Sequence, residues 1–259
     1  MNEDQYQKKL SSLPLGGVRY FDSTGSTNDE ALKWASEGAS DFSLVISDEQ
    51  TAGRGRSGSK WYTPSGSALA CSLILRPSPA ELKHPARITG LGALALVDSL
   101  RSLGLFPQIK WPNDVLINGR KVAGILVESD WLGNDLKASV LGLGINVLKA
   151  STPPPESIAF PATCIEAELG HPLDRIELLK KILSTLLIWR NKIGSDEFIQ
   201  AWEYTLAFRG QQVQVITDSL PTVTGELIGL EPNGNLQVRS LDGNLHLMQF
   251  GEIHLRPAL

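Results

Sequence analysis

The stretch from Ile109 to Val147 constrains the fold most tightly. Within it, Val115-Leu116-Ile117 and Val122 to Glu128 flank the dipeptide Asn118-Gly119. Asn-Gly between apolar runs is a strong hairpin signal, because both residues accept the positive φ that a tight antiparallel turn requires. Ile109-Lys110-Trp111 precedes the hairpin and Ser139 to Val147 follows it, so the middle of the chain is a run of strands. Further strands are expected at Val18 to Phe21, Ser43 to Ser47 and Leu69 to Leu75, the last apolar enough to be buried on both faces. Helices are expected over Asn28 to Glu37, introduced by cap-forming Ser26 and Thr27 and ended by Gly38, and over Ala86 to Leu103, closed by Gly104. Pro153-Pro154-Pro155 interrupts regular structure, and two more helices follow at Asp174 to Lys192 and Asp196 to Ala207. This pattern predicts a mixed α/β domain over residues 18–208, behind a loosely ordered lead-in of residues 1–17 that forms at most a short helix. After Arg209 the pattern changes to short alternating strands with turns at Asn233-Gly234 and Asp242-Gly243. A segment of about 50 residues of this kind is the size of a small barrel, so an SH3-like domain is expected over residues 209–259.

Composition removes several function classes. At 42% hydrophobic and 20% charged residues, the 259-residue chain has the profile of a folded globular protein. A formal net charge of -4 argues against non-specific nucleic-acid or membrane binding, which relies on summed positive charge. The segment before Val18 has no room for a helix-turn-helix, so DNA is not an expected partner. The N-terminus is polar and no run of about 18 apolar residues appears, so no membrane partner is expected either. Cys71 and Cys164 are far apart and read as core thiols, and a reducing cytoplasm is the expected compartment. His84, His171, His246 and His254 are scattered and are assigned to structure or surface.

Three segments can carry chemistry. Gln50 to Trp61 places three glycines and two arginines within the six residues from Gly53 to Gly58. It is not a P-loop, because Ser59-Lys60 stand in reverse order and no helix follows. Glycines that turn backbone N–H groups toward phosphate, with arginines to neutralise it, make a nucleotide grip; the alternative is an exposed basic turn. Trp61 behind the loop reads as a packing anchor or a stacking face. In the second segment, Lys110 to Glu128, Pro112 stops a strand and sets Asn113 and Asp114 at its end, where α/β sheets commonly present ligand contacts. Arg120 and Lys121 either join them or sit in water beside the turn. The third, Gly142-Leu143-Gly144-Ile145-Asn146, lacks the last glycine and following helix of a dinucleotide fingerprint. Two glycines on one face of a strand admit a flat ligand or another backbone, or else mark a bulge.

In their order along the chain, five motifs resemble the biotin protein ligase family, from Val18 to Pro257. They are Ser26-Thr27-Asn28, Gln50-Thr51-Ala52-Gly53-Arg54-Gly55-Arg56 with Trp61, Lys110-Trp111-Pro112-Asn113-Asp114, Arg120 to Glu128, and Gly142 to Asn146. The resemblance implies an α+β fold, a mixed sheet flanked by helices as in lipoate ligases and class II synthetases, with a C-terminal SH3-like domain. It implies a biotin pocket formed by Ser26, Thr27, Gln50, Gly53, Arg54, Gly124 and Gly142. Arg56 and Lys121 would face the reacting carboxylate and α-phosphate as the catalytic pair, touching both biotin and ATP. Asn113 and Asn146 would serve the adenylate, with Trp61 near the nucleotide. ATP and biotin would be substrates with Mg²⁺, whose protein ligands the resemblance does not identify. The acceptor would be a biotin carboxyl carrier domain of acetyl-CoA carboxylase, and a homodimer is compatible with the pattern. Family members often carry Arg or Asn where this chain has Ser57 and Ser59, which makes the loop less basic here. Lipoate–protein ligation and a non-catalytic biotin- or nucleotide-binding module are the alternative readings.

Overall fold

The computed structural model describes residues 2–133, 135–158, 160–217, 222–249 and 253–257. Strands β1 (Gly17–Thr24) and β2 (Ser43–Gln50) run parallel, with Gly17 opposite Ser43. A parallel pair needs a crossover, and helix α2 (Thr27–Ser36) supplies it. Strands β3 (Ala68–Leu75), β4 (Pro107–Lys110), β5 (Asp114–Ile117), β6 (Arg120–Leu132) and β7 (Asp135–Asn146) pair antiparallel and complete a mixed seven-stranded sheet in the order β1-β2-β3-β7-β6-β5-β4. Asn118 and Gly119 take φ of 50° and 71° in the β5–β6 turn, as the dipeptide predicts.

Both faces of the sheet are covered. Helix α1 is Glu3–Lys9, α3 is Pro79–Lys83, α4 is Arg87–Arg101, α5 is Ile165–Leu169, α6 is Arg175–Arg190 and α7 is Asp196–Tyr204. On one face, Leu91 and Leu94 of α4 and Leu179 and Leu183 of α6 join Leu141, Leu143 and Ile145 of β7 in one apolar cluster. On the other, Ala31 and Ala35 of α2 pack with Val45, Ile74, Ala138 and Val140. Every residue of β3 is therefore buried, as its largely apolar run predicts. Cys71 and Cys164 are buried free thiols, and burial pushes the Cys71 thiol up to about 12.

The C-terminal strands β8 (Gln212–Thr217), β9 (Val223–Leu230), β10 (Leu236–Ser240), β11 (Leu245–Met248) and β12 (Ile253–Pro257) form an antiparallel sheet in the order β11-β10-β9-β8-β12, where the small barrel is expected. Its inward Val213, Leu227 and Val238 belong to the same apolar cluster as the core of the large sheet. Polar ties add to this contact. Trp111 donates to the Gly234 carbonyl at 3.0 Å, and the buried Arg87 guanidinium binds the carbonyls of Ile193 and Pro232. The side chain of His254, on β12, lies outside the described residues.

The lead-in holds a short helix, as allowed for it, but one packed against the body rather than loosely ordered. Residues 3–9 form α1, closed by a reciprocal capping box between Asn2 and Gln5. Tyr6 and Leu10 are each only 1% exposed, and the Tyr6 ring stacks on Tyr20 of β1 at 5.1 Å. Two apolar side chains four residues apart give the segment a buried stripe too short to register as a periodicity. Helices α3 and α5, of five residues each, escape sequence reading for the same reason. Replacing Tyr6 by Ala is expected to lower stability by about 3 kcal/mol, the usual loss for an emptied aromatic site. Urea denaturation measures it, and a loss below about 0.5 kcal/mol, the range of an ordinary surface substitution, would contradict the packing.

Candidate active site

Along β7, Ala138, Val140, Gly142, Gly144 and Asn146 share one face, because side chains alternate along a strand. Helix α2 covers the first part of that face. Beyond it the surface is bare, since Gly144 lies directly opposite Gly124 of β6. The Trp61 indole occupies this floor. A Cβ on Gly144 would overlap the indole, and one on Gly124 would come within 3.2 Å of it. The Trp61 Nε1 is buried with no hydrogen-bond partner among the described residues. The loop carrying Trp61 closes on itself where Trp61 donates to the Gly53 carbonyl at 2.8 Å. A Cβ on Gly53 would fall 2.5 Å from the Trp61 carbonyl oxygen, so only glycine fits this neck.

Beside the floor, the first turn of α2 carries a buried polar network. Ser26, Thr27 and Asn28 are each less than 5% exposed. The Thr27 N–H and hydroxyl both donate to Gln50 Oε1, at 2.8 and 3.1 Å, and Gln50 Nε2 donates to Thr63 Oγ1 at 3.1 Å. Ser72 Oγ lies 2.8 Å from Thr27 Oγ1 and 2.6 Å from Asn28 Oδ1. The Asn28 carboxamide fills the space above Gly142 and donates to Glu128 Oε2 at 2.7 Å. Gly142 thus admits a protein side chain, whereas the bare floor is built from Gly124 and Gly144.

The two expected catalytic cations meet at one strand end. Arg56 Nη1 donates to Asn113 Oδ1 at 3.2 Å, and Asn113 Nδ2 donates to the Ile125 carbonyl at 2.9 Å. Lys121 Nζ lies 2.6 Å from Asp114 Oδ1, and Lys110 Nζ lies 3.6 Å from Asp114 Oδ2. Lys121 reaches this position through a β-bulge. Val115 pairs with Ala123 and Leu116 with Lys121, leaving Val122 as the extra residue. In a regular strand Lys121 and Gly124 would face opposite sides; the extra residue reverses the alternation and re-aims the lysine. Its Nζ accordingly sits 3.4 Å from the Cβ position of Gly124 and 5.4 Å from the centre of the Trp61 ring.

Two expected site residues are engaged elsewhere. Asn146 is buried and donates to the Thr163 carbonyl at 3.0 Å, which fixes residues 161–163 beside Lys121. The Arg54 guanidinium is held by Asp29 and Glu128, with 2.7 Å to Glu128 Oε2. Partial burial works against its charge, but the hydrogen bonds to the two carboxylates outweigh it and raise the Arg54 pKa above its ordinary value. Among the histidines, His171 Nδ1 meets the Pro172 carbonyl and His246 Nε2 meets Ser240, while His84 ends α3. Sequence reading missed Ser72, Thr63, Asp29 and Glu128 as site residues. Ser72 and Thr63 carry no local signal; Glu128 stands within a quoted motif, but nothing in its strand points to a partner 74 residues earlier.

A glycine floor walled by small polar side chains, with cations at one end, suits a flat neutral ring system that bears a carboxylate. The model of the biotin/lipoate A/B protein ligase family matches residues 20–146. A biotin–[acetyl-CoA-carboxylase] ligase of Paracoccus denitrificans is 36% identical over 85% of this chain and 93% of its own. One from Mycobacterium tuberculosis is 35% identical over 90% and 87%. Among solved structures, a biotin protein ligase from Aquifex aeolicus in complex with biotin and ATP superposes with a TM-score of 0.79 at 28% identity, covering 93% of this chain and 99% of that one. The chain belongs to the biotin/lipoate A/B protein ligase family.

Replacing Gly144 by Ala is expected to push the Trp61 indole off the floor, because the added carbon has no room beneath it. Tryptophan fluorescence should change in G144A but not when the same substitution is made on a W61F background. An unchanged spectrum in G144A would show that Trp61 does not rest there.

Proposed function

We propose that this protein is a biotin–protein ligase, which forms biotinyl-5′-AMP from biotin and ATP and transfers biotin to a lysine of a biotin carboxyl carrier domain of acetyl-CoA carboxylase. The carrying observation is the meeting of Arg56 and Lys121 at Asn113-Asp114, at the end of the glycine floor. Relatives aligned over most of the chain bear this ligase name, and a solved neighbour is described with biotin and ATP.

The fused rings of biotin lie along the floor of Gly124, walled by Ser26, Thr27, Gln50 and Gly53. Gly142 shapes this wall by admitting Asn28. The valerate carboxylate points toward Lys121 and Arg56. One carboxylate oxygen attacks the α-phosphorus of ATP, an O–P bond forms, and the bond to pyrophosphate breaks. Two anions must approach each other in this step, so the first task of the two cations is to neutralise and align them. The acceptor amine then attacks the carbonyl carbon of the mixed anhydride; the C–N bond forms, AMP leaves, and the amine gives up a proton. Trp61 moves from its place on the floor to flank the adenylate, whose other side is bounded by Asn113 and by the segment that Asn146 pins.

No three His, Cys, Asp or Glu side chains cluster to hold a metal among the described residues. Mg²⁺ would enter on the phosphates of ATP, its usual mode of binding, and would screen their charge. Residues 18–208 form the catalytic domain and 209–259 a second domain docked on it. Among the described residues no helix is long and apolar enough to cross a membrane.

Pyrophosphate release on mixing with biotin and MgATP, followed by mass spectrometry of the carrier lysine, tests the activity, with lipoate as the competing substrate. Lys121→Ala should slow adenylate formation on the order of 10²-fold or more, as loss of a single transition-state donor does. Near-normal pyrophosphate release by that variant would remove Lys121 from the chemistry.

A further inference from the structure

Beyond its glycine neck, the loop from Gly53 to Lys60 is tethered to the body by two arginines of different character. Arg56 binds the neutral carboxamide of Asn113 at 3.2 Å, in the direction where the proposed reaction needs its charge. Arg54 is held by two carboxylates from separate elements, Asp29 in the first turn of α2 and Glu128 of β6. Hydrogen bonds between ions are stronger than bonds to neutral acceptors, so the Arg54 tether persists when Arg56 turns to its substrates. Glu128 has a second attachment. Its Oε2 accepts from Arg54 at 2.7 Å and from Asn28 at 2.7 Å, and Asn28 lies against Ser72 and over Gly142. One carboxylate thereby joins the loop to the polar wall of the pocket.

We propose that Asp29 and Glu128 form a latch that acts through Arg54 to hold the glycine-rich loop closed over the pocket, which makes both carboxylates positioning residues for retention of the activated acyl group. The retention part rests on the ligase reading above; the closure part does not. A mixed anhydride that escapes or meets water is spent without transfer, so a loosened latch uncouples ATP consumption from acceptor labelling.

Glu128→Gln keeps a carbonyl oxygen for Asn28 and loses the charge that holds Arg54. Asp29→Asn, at an exposed position of the first turn, weakens the same tether from the other side and guards against a folding defect at Glu128. Two readouts apply: tryptic cleavage at Arg56 and Lys60 before substrate is added, and the ratio of pyrophosphate released to biotin transferred to the carrier. Both variants should speed loop cleavage several-fold and raise the ratio, and E128Q should add nothing on an R54A background. Unchanged cleavage in both variants, an unchanged ratio in both, or an effect of E128Q that adds in full to that of R54A, would overturn the latch. If the unaltered protein releases no pyrophosphate with biotin, the ligase reading fails, and the cleavage rates still decide whether the tether closes the loop.

Discussion

The pairing of Gly124 with Gly144 across β6 and β7 is the constraint on which the site depends. Register in a sheet is all-or-none with respect to faces, because a slip of one residue sends every side chain to the opposite side. The α4–α6 face of β7 is held by Leu141, Leu143 and Ile145, all buried in the main apolar cluster. Burying three such side chains is worth roughly 1.5–3 kcal/mol each, and a slipped register would expose them. The hydrophobic core thus enforces a bare patch on the other face, without that patch contributing much stability itself.

What surrounds the patch is polar and buried, an arrangement tolerated only when hydrogen-bonding groups find partners. Thr27, Asn28, Gln50, Thr63 and Ser72 satisfy one another across α2, β2, β3 and the segment after the loop. Such a network fixes rotamers in a way that apolar packing does not, and it presents defined donors and acceptors at the edge of the floor. The Trp61 Nε1, by contrast, is buried without a partner among the described residues. An unsatisfied donor costs free energy where it stands.

The charged groups follow a related logic. Lys110 and Lys121 share Asp114, and Arg56 binds the neighbouring Asn113. A carboxylate between two lysines holds their ammonium groups near each other despite their repulsion.

Much of this was legible in the chain itself. The Asn118-Gly119 hairpin, the buried, largely apolar β3, the α4 helix before Gly104 and the change of pattern after Arg209 follow from local backbone preference and periodicity, which depend on neighbours in sequence. The motifs around Arg56, Lys110 to Asp114 and Lys121 marked segments that the fold brings together. Only the folded chain decided the rest. Tyr6 buries itself on Tyr20, the extra residue at Val122 turns Lys121 to the face of Gly124, and Glu128 meets an arginine 74 residues away. Each of these rests on a partner distant in sequence or on the parity of a strand shifted by one residue, and neither is encoded by the residue types at the position alone.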